Sequence, residues 1–130
     1  AHGEARRVDV HHARLGVATL DALSQPGAYD RLFALGARAR EGLQSAFARR
    51  GVPGRVFGIG PLFHLHFDDA DVANARDALG EDKALRKRVW NALLERDVHI
   101  TGARGFVSLQ HNAATVDDLV GRFDAALGDL

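Results

Sequence analysis

Between residues 32 and 46 the apolar side chains Leu32, Leu35, Ala39, Leu43 and Ala46 recur with Arg and Glu between them. Steps of three and four place them on one stripe of an amphipathic α-helix. Gly36 and Gly42 lie inside that helix, each at a cost of about 1 kcal/mol relative to Ala, so a closely approaching helix or strand is expected there. Gly51-Val52-Pro53-Gly54 stops it. Upstream, Leu15, Ala18, Leu20 and Ala22 predict a short helix over 12–23 that ends at Ser24-Gln25-Pro26-Gly27. Residues 1–11 carry charge and His without apolar periodicity and read as an exposed arm.

The period changes at Arg55. Residues 55–67 are rich in strand formers, and Gly60-Pro61 demands a bend, giving two short strands or one bent strand. In the second half Phe63, Leu65 and Phe67 share one face, while Leu62, His64 and His66 share the other. Asp68-Asp69-Ala70-Asp71 offers N-caps for a short helix near 70–78, and a further helix is predicted over about 82–96 with Leu85, Val89, Ala92 and Leu93 inside. Residues 98–101 and 105–110 are strand-like runs around Gly102-Ala103-Arg104, which predicts an antiparallel hairpin. Thr115 and Asp118 form a capping-box relative ahead of Val116, Leu119, Val120, Phe123 and Leu127 at helical spacing. The order implies an α+β domain: a small antiparallel sheet with helices packed on one face.

A chain of 130 residues, 46% hydrophobic and 26% charged, has room for one globular domain. At this size little surface is left over for a deep private cleft, so part of any active site is expected elsewhere. Seventeen Lys+Arg balance seventeen Asp+Glu, so there is no net field for a phosphate backbone or an anionic bilayer. Neither nucleic acid nor membrane is expected as a partner. Without Cys there is no disulfide, thiolate nucleophile or iron–sulfur cluster. No apolar run approaches the roughly 20 residues that cross a bilayer, and a cytoplasmic location is expected. The chain starts at Ala1 and contains no Met, which reads as a fragment or processed piece.

Several residues invite a chemical reading. His64 and His66, two apart on a strand, point the same way as zinc ligands do, with Asp68, His99 or His111 available as a third ligand. A half-buried sheet face is the preferred account of the pair, and no metal site is assigned. His11 and His12 read as solvent-exposed. Gly58-x-Gly60 lacks the following helix of a phosphate cradle, and Pro61 removes a donor. Ser108 and His111 lack an orienting acid and a nucleophile elbow. Lys83 and Lys87, four apart on a charged helix face, lack the apolar surroundings of a Schiff-base lysine. Arg104, flanked by small residues in the predicted turn, has the reach to take a carboxylate bidentately across the sheet edge, although a simply solvated arginine is the commoner reading.

Four stretches carry a resemblance: 15–23 (LGVATLDAL), 58–67 (GIGPLFHLHF), 93–101 (LLERDVHIT) and 105–111 (GFVSLQH). In this order and spacing the chain resembles the C-terminal small domain of class III pyridoxal-phosphate aminotransferases, closest to the glutamate-1-semialdehyde 2,1-aminomutases. The resemblance implies an irregular arm at 1–14 and the small domain at 15–130. It also implies pyridoxal 5'-phosphate bound mainly by a large domain absent from this chain, which would hold the Schiff-base lysine. A homodimer, and a small amino acid or amino aldehyde as substrate, follow from it too, and this chain alone would be inactive. The family's phosphate-binding threonine segment has no counterpart among residues 2–12, where Glu4 would repel a phosphate. Asn112 stands where the family has threonine and keeps a capping side chain. Some family members bind the substrate carboxylate with an arginine of this domain, and Arg104 is carried into that role. The alternative from another class is a free-standing α+β ligand-binding or oligomerisation module without catalysis.

Overall fold

The computed structural model describes residues 2–130, with side chains from residue 10 onward, and divides the chain into two compact units, 1–31 and 32–130. The first holds α1 (His2–Leu23) and the start of α2 (Ala28–Arg50). The arm expected up to residue 14 is therefore helical from residue 2, in one run with the helix predicted over 12–23. Helix formers such as Ala13, Arg14 and Leu15 continue the turn upstream without needing an apolar stripe. Val10, Leu15, Val17 and Leu20 are exposed along it.

The second unit holds the rest of α2, then β1 (Arg55–Phe57), β2 (Leu62–His66), α3 (Ala75–Ala78), α4 (Lys83–Leu94), β3 (Arg104–Phe106) and α5 (Ala113–Gly128). The strands form one antiparallel sheet in the order β1-β2-β3. Val56 pairs with Leu65 and Phe57 with His64; Phe63 pairs with Gly105 and His64 with Arg104. Residues 55–67 are thus two strands joined at Gly60 (φ +58), a left-handed position that suits glycine. α2, α4 and α5 cover one face of the sheet, packing Leu43, Phe47, Val89, Leu93 and Phe123 against Phe63, Leu65 and Phe67. Phe47 meets Phe67 and Phe123 edge-on at ring distances of 5.7 and 5.1 Å.

Both glycines of α2 have the close neighbours their spacing implied. A Cβ at Gly36 would overlap the Gly60 carbonyl, and one at Gly42 would lie 2.6 Å from Val120 of α5. α2 also fastens the β1–β2 hairpin: Arg40 donates to the carbonyls of Gly60 and Leu62, and Gln44 accepts the outward Val56 N–H at 2.9 Å. That last bond satisfies an edge-strand donor. Arg38 pairs with Asp117, and Arg50 with Asp124, across to α5.

Three local expectations are corrected. Residues 98–101 are not a strand and no hairpin spans 98–110. Asp97 (φ 58), Gly102 (φ 63) and Ala103 (φ 61) break the extended run, while Ile100 and Ala103 sink into the core around a 3₁₀ turn. β3 pairs with β2 instead; the Val107 N–H still reaches the Pro61 carbonyl in register, and the ladder ends there because Pro61 has no N–H to return. The closing helix is capped not at the Thr115–Asp118 box but three residues earlier by Asn112, the capping side chain the resemblance had kept, which accepts the Thr115 N–H at 2.9 Å. The short helix α3 is capped by Asn74, further along than the 68–71 acids, because its amide oxygen reaches two backbone N–H groups. Among the described residues no helix is long and apolar enough to cross a membrane.

Candidate functional site

The strand alternation that sends Phe63, Leu65 and Phe67 to the helices puts Phe57, Leu62, His64, His66, Arg104 and Phe106 on the opposite face. Across that face Phe57, His64 and Arg104 form one row, and Leu62 and Phe106 the next. Gly105 makes β3 fit: a Cβ there would run into the Phe63 ring, so only glycine lets Arg104 and Phe106 lie flat on the outer side. Arg104 and Phe106 are exposed, and His64 is half-buried between the strands on either side.

The Arg104 guanidinium has no hydrogen bond or ion pair among the described residues. Nearby arginines are occupied. Arg122 donates to Asp118 and to the Arg96 carbonyl, Arg86 to Glu81, and Arg55 to the Asp69 carbonyl. Arg104 is left with a free fork, the geometry that takes a carboxylate by two parallel N–H bonds. It also borders an open hollow of about 620 Å³ at the outer edge of β3, together with His99, His111 and Phe106.

Burial lowers the His64 pKa below the usual histidine value; Arg104 pushes it the same way, Glu81 opposes, and His66 and Arg86 add to the lowering. At neutral pH the ring is therefore uncharged and carries one N–H donor. His66 is buried: its Nδ1 lies 3.6 Å from Glu81 Oε2, and its Nε2 has no hydrogen-bond partner. Glu81 is held in place by the Phe67 N–H at 3.2 Å and by Arg86.

Arg104 is a strand residue facing outward, opposite His64, rather than the tip of a turn. His64 and His66 share a face, yet among the described residues no three His, Asp or Glu side chains come together as a metal site. Ser108 and His111 do not form a nucleophile–base pair: His111 Nδ1 accepts the Ser108 backbone N–H at 3.0 Å, closing a loop. Lys83 and Lys87, the two lysines of the chain, are both exposed on α4. Among the described side chains, then, no amine is set in apolar surroundings, and these residues do not fit a covalently held cofactor by themselves. Sequence reasoning passed over Glu81 and the cross-strand pairing of His64. An isolated glutamate carries no pattern, and the pairing depends on which strand β3 chooses.

No family model matches the chain. Similar proteins nevertheless exist. Glutamate-1-semialdehyde 2,1-aminomutase of Thermus thermophilus is 32% identical over 116 residues, covering 86% of this chain and 27% of that enzyme. An omega-transaminase from Sphaerobacter thermophilus superposes with a TM-score of 0.75 at 36% identity, over 81% of this chain and 25% of that one. A transaminase with PLP bound superposes at 0.66 with 29% identity, over 82% of this chain and 24% of that one. The chain spans about a quarter of the length of the relatives it matches.

Proposed function

We propose, from the premise that this chain belongs to the class III aminotransferase family over the segment it shares with those enzymes, that it serves amino-group transfer by presenting the outer face of its sheet to the substrate. The supporting observation is the free Arg104 fork on that face, beside apolar side chains. In this reading Arg104 binds the substrate carboxylate and orients an amino acid or amino aldehyde. A larger domain of the same enzyme holds pyridoxal 5'-phosphate and the lysine, since neither Lys83 nor Lys87 suits that role. That cofactor, when bound, supplies the electron sink for amino transfer. The enzyme works as a cytoplasmic homodimer.

The test is an exchange. This chain replaces the matching quarter of the Sphaerobacter transaminase, and a soluble, cofactor-loaded hybrid is assayed with a range of amino donors. Turnover supports the reading. A folded, loaded hybrid that transfers no amino group rejects it in favour of a binding module.

A further inference from the structure

We infer that His64 is the second arm of the anion site: the substrate carboxylate lies across the Arg104–His64 pair, and the rest of the substrate is an apolar or aromatic group resting on Phe57, Leu62 and Phe106. The inference deepens the reading of Arg104 above and rests on it. It names a substrate class, the monocarboxylates with an apolar substituent.

The geometry carries it. His64 and Arg104 are directly opposed residues of an antiparallel pair on the same face. Such side chains leave the sheet with Cβ atoms about 4.5–5.5 Å apart, so a single carboxylate spans the guanidinium fork and the imidazole N–H. On one side the positions next to this pair are apolar: Phe57 beside His64, then Leu62 and Phe106 one row away, with Phe106 68% exposed; the row on the other side is Arg55 and buried His66. A flat apolar group beside the carboxylate removes those rings from water. Among the described residues, the neighbouring cations Arg86 and Arg55 are not free for a second acidic group: Arg86 is engaged by Glu81 and Arg55 by the Asp69 carbonyl and Asp71.

The groups that face His64 are Arg104 on β3, Glu81 and Arg86 beyond the end of β2, and His66 on its own strand. A carboxylate bound at Arg104 adds a negative charge to this set and favours the protonated ring. Ligand and proton then help each other bind, as linkage requires.

Benzoate, ionised throughout the histidine range, is the probe, and the 130-residue chain is the sample. NMR titration of the imidazoles in benzoate, against chloride of equal ionic strength, should raise the His64 midpoint by about 0.5 unit or more. The exposed His11 and His12 should stay in place. The rise should vanish in Arg104→Ala, and succinate should give a smaller rise than benzoate. Movement of the Arg104 Nε signal without a response at His64 overturns the inference and leaves the Arg104 reading standing. Silence at both residues overturns both. Equal shifts at His11 and His12 show a bulk ion effect and reject the site, and a succinate response matching that of benzoate rejects the apolar substrate class.

Discussion

The two faces of the three-stranded sheet are built from the same strands, one residue out of step, and they have opposite fates. On the helix side Phe63, Leu65 and Phe67 are each no more than 4% exposed, among ring and methyl contacts from α2, α4 and α5. One position along, Phe57, His64, Arg104 and Phe106 meet water or are half-buried, with only His66 of that face buried, and one of them is a cation without a partner among the described residues. The first face holds the fold together. Outside His66 the second should accept change without unfolding, which is the condition for carrying recognition.

Substitution separates the faces most sharply in the core. Phe67→Ala removes a ring packed edge-on against Phe47, and a loss of about 3–5 kcal/mol is expected in urea denaturation. Gly105→Ala comes next, at about 1–3 kcal/mol, because its methyl must displace the Phe63 ring. Adding Phe63→Leu should return part of that loss, and a Gly105→Ala protein as stable as the parent would show that the strands do not approach as described.

Smaller effects belong to the outer face. The folded-state His64 pKa lies below its unfolded value, so between those two values the unfolded chain binds more protons. Stability therefore falls as pH drops through that window, and His64→Gln should flatten this part of the curve. Denaturation midpoints at pH 5.5 and 7.5 for both proteins measure it; an unchanged slope would mean that His64 is not held as a neutral ring. Arg104→Ala, at an exposed side chain without a partner, should alter stability by no more than about 0.5 kcal/mol.

The helix side was legible in the sequence because burial writes a period. Leu35, Ala39, Leu43 and Ala46 announced α2, and Phe63, Leu65 and Phe67 announced the inner face of β2. Gly36 and Gly42 even foretold close contacts. What failed was pairing. Residues 98–101 have strand-like side chains, but left-handed backbone at Asp97, Gly102 and Ala103 cannot be read from residue types alone when two of the three are not glycine. That error set Arg104 in a turn and hid its position opposite His64. The arm was misread for a related reason: at residues 10–14, where the side chains are exposed, no buried stripe marks the helix. Of the site, Arg104 itself was named from sequence, while its neighbours came into view only with the strand register.

The sharpest test of the outer face as the substrate-binding side is the KM of the hybrid transaminase for a monocarboxylate amino donor, measured with and without Arg104→Ala. Losing a charge-assisted carboxylate contact worth about 1.5–3 kcal/mol should raise KM by about 10- to 150-fold while the melting temperature stays in place. An unchanged KM in a folded, cofactor-loaded hybrid would contradict the account.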